Sequence, residues 1–327
     1  MQAPRAEAQV LPPPPGIIGS LRSGFDAIAG HVAVIVLPLA VDLFLWLGPH
    51  LGMGGLLQPL IKEWATIPNT TGLKIEDVQV FLQAFNVLGI LRTFPIGVPS
   101  LMSGVMPTQT PLGMPRTIEI ASASQLLALS LLLTFAGWCL GALYFRWVAA
   151  LVTPAVLAEE RLQAGRAVVQ TILYSLMWTA ATWVIGIPVS ILLSVLFMIN
   201  TVLGEGVLLL LGFLSMWLVV PLFFSPHGMF IRRQNALNSV WSGFHMTRFT
   251  LPTSSLFVLT VFLLGVGLNV LWSRPASDSW MVVIGILGHA FVTTALLASS
   301  FVYYHNMTAW LQAALARLRP GMPGQQL

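Results

Sequence analysis

Two ionisable residues inside long apolar runs carry what chemistry this chain offers. Asp42 sits in Pro38-Leu39-Ala40-Val41-Asp42-Leu43-Phe44-Leu45-Trp46 with no other ionisable residue beside it. His289 sits in the apolar run that follows Trp280. A charge at a helix centre in hydrocarbon costs about 2.5–3.5 kcal/mol on insertion scales, so each calls for a partner. At 1.5 Å per residue, Asp42 lies roughly 10 Å below the surface marked by Gly48-Pro49, and His289 roughly 13 Å below the surface marked by Trp280. The matching depths predict that the two face each other. Asn269, near the end of a neighbouring run, is a candidate third member of this polar cluster, and Arg92 is a rival partner for Asp42. An acid facing an imidazole suits a proton or cation relay, or a polar pocket for a ligand. It equally suits an interhelical hydrogen bond that fixes packing, worth about 0.6–2 kcal/mol. A third use is an N-cap or loop anchor that holds the extramembrane segment. The residue types leave all three open.

Other polar residues read more plainly. His31 is expected at an interface, Glu205 at a helix N-terminus whose dipole favours a carboxylate, and Glu159-Glu160-Arg161 in a solvated turn. Asn69-Thr70-Thr71 and Asn306-Met307-Thr308 match the glycosylation sequon, a pattern common by chance. No HExxH, GxSxG, GxxxxGK[ST] or GxGxxG pattern occurs, and no cysteine–histidine cluster. No catalytic residue, cofactor or metal ligand is therefore expected, and the chain reads as non-enzymatic. Its one cysteine, Cys139, cannot form an internal disulfide. The net charge is +4 and the basic residues are scattered, which excludes a nucleic-acid surface.

The elements that must position Asp42 and His289 follow from composition. The chain is 56% hydrophobic and 8% charged, against about 25% charged in soluble domains. So little charge cannot cover a water-exposed surface. Runs at 29–46, 125–144, 168–198, 207–224, 254–271 and 280–302 each approach the ~20 apolar residues needed to cross a bilayer. The expected fold is all-α: a polytopic membrane protein of about six transmembrane helices. The third run is long enough to bend at Gly186-Ile187-Pro188. The short link 200–205 forces an antiparallel hairpin with the fourth. With the N-terminus inside, ten of the fifteen Lys and Arg residues fall on inner segments. Four of the other five lie in one loop too long to count towards orientation, so both termini are expected in the cytoplasm and the protein in the bacterial plasma membrane.

Residues 1–20, with their run of prolines, read as a disordered cytoplasmic tail, 21–310 as the transmembrane domain, and 311–327 as an amphipathic cytoplasmic tail. The extracytoplasmic loop 47–121 is expected to be partly helical. Val78, Phe81, Leu82 and Phe85 recur at helical spacing within a helix from Glu76 to Ile90, and a shorter helix is expected over 56–64. Beyond Arg92, prolines at 95, 99, 107, 111 and 115 break regular structure. An irregular, apolar cover over the bundle mouth is expected there, with a dip into the membrane as the alternative. Residues 236–249 show one apolar and one polar face and are expected to lie flat in the interface.

Two segments carry a resemblance. Arg233-Gln234-Asn235-Ala236-Leu237-Asn238-Ser239-Val240-Trp241 resembles the amphipathic connector of uncharacterised bacterial six-helix membrane proteins, including the membrane domain found beside glycerophosphodiester phosphodiesterases. The run Leu37 to Trp46 is similar to multi-pass proteins of filamentous green bacteria. The resemblance implies a six-helix bundle and no catalytic residue. Together these readings point to an accessory, scaffold or lipid-associated role, with membrane lipids and other membrane subunits as the partners to consider. The alternative is a small transporter or permease using the level of Asp42 and His289.

Overall fold

The computed structural model describes residues 13–64, 75–153 and 160–318. In chain order its elements are α1 (Ile17–Gly30), a 3-10 turn (Val32–Ile35), α2 (Val36–Leu47), β1 (His50–Gly52), α3 (Gly54–Trp64), α4 (Ile75–Ala84), a second 3-10 turn (Val87–Leu91), α5 (Met102–Val105), β2 (Thr117–Glu119), α6 (Ala123–Val152), α7 (Glu160–Ile199), α8 (Thr201–Phe224), α9 (His227–Ile231), α10 (Ala236–Trp272) and α11 (Val282–Leu318). Among the described residues, five helices are long and apolar enough to cross a membrane, and the bent pair α1–α2, taken as one span, makes a sixth. The protein is an all-α, multi-pass membrane protein. Below, the side carrying β1, α3, α4 and β2 is the cover side, and the side where α1 begins and α11 ends is the terminal side.

The first crossing is broken. α1 and the segment that leads into α2 meet at 90°. Pro38, in the first turn of α2, has no N–H to return to Val34 and would crowd that carbonyl in a straight helix. The chain tightens into the 3-10 turn there instead. Ile17 and Leu21 pack against the buried cluster that holds Tyr303, Tyr304 and Met307. At the other end the Trp46 indole donates to the Ser277 carbonyl (2.9 Å), and its ring meets Trp280 edge-on. The pair thus follows α11 from one side to the other and is a crossing, not a loop that returns. The expected straight helix over 29–46 is corrected accordingly. So is the tail: residues 17–20 are the first turn of α1, with Ser20 buried.

The remaining spans hold, with longer ends. α7 takes in Glu160 and Arg161, expected in a turn whose first residue, Glu159, lies outside the described residues, and it carries Pro188 inside it. Asn200 caps α8, accepting from the Val202 and Leu203 amides and closing the α7–α8 hairpin. The flat helix expected at 236–249 and the span after it form one run, α10, broken at Thr250 (φ −124°, ψ 18°) just before Pro252. There the Thr250 hydroxyl donates to the Met246 carbonyl at 2.8 Å, so a side chain helps satisfy backbone at the kink. Residues 311–318, expected in a separate tail, continue α11. Residues 1–12 and 319–327 of the two expected tails fall outside the described residues.

The cover holds a small parallel pairing that the sequence reading lacks: His50 opposite Thr117, Leu51 opposite Ile118 and Gly52 opposite Glu119. The Glu119 carboxylate accepts from the Gly55 amide at the start of α3 (3.0 Å). α4 stops at Ala84, short of the expected Ile90. Asn86 turns extended, and its side-chain oxygen accepts from the Leu88 and Leu51 amides. Leu82 is buried as expected, whereas Phe81 is 47% exposed.

After Arg92 the chain does not lie over the mouth. It dips in. Ile96 and Val98 are fully buried and cluster with Val34, Ile35, Tyr144 and Val148. The seat is on α6. A Cβ at Gly137 would come within 2.4 Å of the Thr93 methyl, and one at Gly141 within 2.7 Å of the Gly97 Cα. These glycines lie roughly 21 and 27 Å along a helix roughly 45 Å long, on either side of its midpoint. Irregular backbone survives at such depth only where protein shields it, and two absent side chains on α6 make that shield fit.

Candidate functional site

Asp42 is fully buried in α2, one turn below its cover-side end. Its Oδ1 accepts from the Ser100 hydroxyl (2.5 Å) and the Met102 amide (3.0 Å), and its Oδ2 from the Leu101 amide (3.0 Å). Ser100 Oγ in turn accepts from the Ser103 amide at 3.1 Å. The first amides of α5 have no partner inside their own helix, so an acid from another element supplies one. Three of the roughly four acceptor positions of a carboxylate are taken, all by the returning limb of the dipping loop.

The expected partners fare differently. His289, on α11, is 6% exposed and brings Nδ1 to 3.8 Å from Asp42 Oδ2, with no hydrogen bond to it or any other group. The facing pair is present as a contact rather than a bond. Arg92 is exposed at the end of the second 3-10 turn. Its charge acts on Asp42 and His289 through space, without an ion pair. Asn269 is exposed on α10 and stays apart from the cluster. Among the described residues, Asp42 lines none of the cavities of about 200, 270 and 500 Å³. A buried acid bonded to three donors of one loop has the geometry of an anchor, the third of the uses open to it from sequence.

The bundle's larger opening lies elsewhere. A cavity of about 500 Å³ sits among α6, α7, α8, α10 and α11, and the tip of the dipping loop, Phe94-Pro95, forms one wall. Phe145, Trp178, Val219, Phe223, Val261 and Leu296 line it. Phe94 meets Trp178 edge-on at 5.5 Å. Val219 and its neighbours on α8 are exposed on the apolar flank of the bundle, so the mouth opens towards lipid. One end of the cavity is polar. His227 Nε2 pairs with Ser300 Oγ at 2.7 Å, and the Tyr174 hydroxyl with that of Ser225. His227 is 2% exposed and is wrapped by Phe223, Phe224, Phe301 and Tyr304.

The chain matches no family model, no curated protein and no solved structure. Its site is therefore read from geometry alone. Sequence reasoning passed over His227, Tyr174 and Ser300. The available signal was Ser225-Pro226-His227, a proline that stops α8 with a histidine directly behind it.

Proposed function

We propose that this protein is a non-enzymatic, lipid-associated component of the bacterial plasma membrane that holds one apolar chain in its intramembrane cavity. The observation that carries this reading is the lipid-facing, aromatic-walled space of about 500 Å³, within the roughly 300–1,000 Å³ of small-molecule sites. Its walls suit an acyl or isoprenoid chain, and the His227–Ser300 pair suits a carbonyl or hydroxyl at one end of it. The arginine distribution supports both termini in the cytoplasm, with the cover outside. A small transporter is the second reading. The broken first span beside a dipping loop favours it, since discontinuous backbone at membrane depth often lines a transport path. The closed bonding of Asp42 weighs against that residue as the path's site.

Gly265 on α10 tests the cavity. A Cβ there meets nothing closer than Leu296 Cδ1 at 3.9 Å, so Gly265→Phe can direct a ring into the space from an unstrained Cβ. Gly267, where a Cβ meets nothing within 4 Å, is absent from the cavity wall and is the control. Native mass spectrometry and lipid extraction should find a lipid retained by the wild type and by Gly267→Phe but lost from Gly265→Phe. Equal retention by all three rules out the cavity as its seat.

A further inference from the structure

A second cavity, of about 270 Å³, opens on the terminal side between the start of α10 and the end of α11. Its walls have a different chemistry. Arg232, Gln234, Asn238, Ser242 and His245 face it, and no acidic residue lines it. The local fold is built to present these groups. α9 ends at Ile231 with Arg232 as its C-cap, Arg233 turns the chain in left-handed backbone (φ 54°), and Asn235 caps α10 by accepting from the Asn238 amide at 2.9 Å. The Arg232 guanidinium stands by the Tyr304 hydroxyl, which also pairs with Ser242 Oγ at 3.0 Å. One atom in this wall, His245 Nε2, is buried and has no hydrogen-bond partner, and it donates in the tautomer protonated there. Buried polar atoms are rarely left so without something to bond.

The surroundings name the ligand's charge and its address. Arg166, Arg233 and Arg248 are exposed around the same end of the bundle, and Arg166 reaches the Arg233 carbonyl at 2.6 Å. Trp241 lines the rim and is 74% exposed, with Leu237 at 69% beside it on the same helix. Exposed tryptophan next to arginine is the signature of the headgroup level of a membrane. A cation with amide, hydroxyl and imidazole groups around it suits a tetrahedral oxyanion, and basic pockets at this level bind anionic headgroups.

We propose that this cavity binds the phosphate group of an anionic lipid headgroup. The site is separate from the apolar cavity and does not depend on the function proposed for it.

The test uses the full chain in detergent micelles doped with phosphatidylglycerol or phosphatidylcholine, with retained lipid read by native mass spectrometry. The wild type retains phosphatidylglycerol preferentially. Arg232→Gln lowers that preference about tenfold or more, the loss of one charge-assisted hydrogen bond. Should that variant fold poorly, Asn238→Asp serves instead. It places an acid in the first turn of α10, where the helix dipole welcomes it, and sets a negative charge at the site. The preference then falls by a similar factor. Arg116→Gln, on the cover side, leaves it unchanged. Equal retention of the two lipids by the wild type overturns the proposal, as does a preference that survives both terminal-side variants. Full displacement of phosphatidylglycerol by inorganic phosphate assigns the site to a soluble ligand and overturns the lipid assignment.

Discussion

Replacing Asp42 separates an anchor from a relay. Side-chain hydrogen bonds between membrane helices average only about 0.6 kcal/mol, because the separated groups find other partners. The Leu101 and Met102 amides differ. They begin a helix and sit in buried, irregular backbone, so no partner replaces the carboxylate. Each buried amide left unpaired costs about 1–3 kcal/mol, which sets Asp42→Ala at about 2–6 kcal/mol. Asp42→Asn is milder. Its oxygen can keep Ser100 and Met102, while its amide nitrogen meets the Leu101 N–H donor to donor, a loss of about 1–3 kcal/mol. Equilibrium unfolding in mixed micelles, followed by circular dichroism, measures both. In a Cys139→Ser background, Val98→Cys reports the seating of the loop, since Val98 is 1% exposed. It resists maleimide in the otherwise unchanged protein and reacts once Asp42→Ala is added. Unfolding within about 0.5 kcal/mol of wild type, with Val98→Cys still protected, refutes the anchor.

Gly141→Leu forces a side chain into the Gly97 backbone, 2.7 Å from the ideal Cβ position. Overpacking of this kind costs about 1–3 kcal/mol, and the same maleimide reporter should become reactive. A neutral Gly141→Leu contradicts the seat on α6. His50, on β1 in the cover, has its imidazole pushed below its ordinary value of 6.5 by burial, with the Leu45 carbonyl partly offsetting this. The unfolded chain then takes up a proton more readily than the folded one, so stability present above that value falls as the pH drops through it. His50→Gln should flatten this part of the pH profile of the melting temperature, and an identical profile in both proteins rules out His50 as the titrating group.

What the sequence revealed depended on the reach of each signal. Apolar runs mark crossings well because lipid solvates them on all sides, as along α7 and α8. Depth counting brought Asp42 and His289 together because both helices are nearly regular between the residue and the surface. It named the wrong bonding partners because two of Asp42's three donors are backbone amides, which carry no mark in a sequence. Arg92 drew notice as the nearest cation, but it ends a 3-10 turn facing solvent. The break before α2 was hidden because Val32 to Ile35 are as apolar as the helix around them. The seat at Gly137 and Gly141 was hidden because a glycine pair in an apolar run equally suits helix–helix packing. The β1–β2 pairing joins residues far apart in the chain with only three positions each, too few for an alternating pattern to show.

The contacts of α1 carry a consequence for biogenesis. Its closest neighbour is the last helix: a Cβ at Gly24 would fall 2.4 Å from the Ser299 amide nitrogen, and Ser299 Oγ reaches the Leu21 carbonyl across 278 residues of chain. During synthesis the opening segment therefore emerges long before the surface that receives it. Until α11 arrives, a bent opening span waits in the bilayer or the insertion machinery without its template. Ribosome-bound chains stopped before residue 282 should hold residues 17–47 in a protease-sensitive state, and release of the complete chain should end that sensitivity at once.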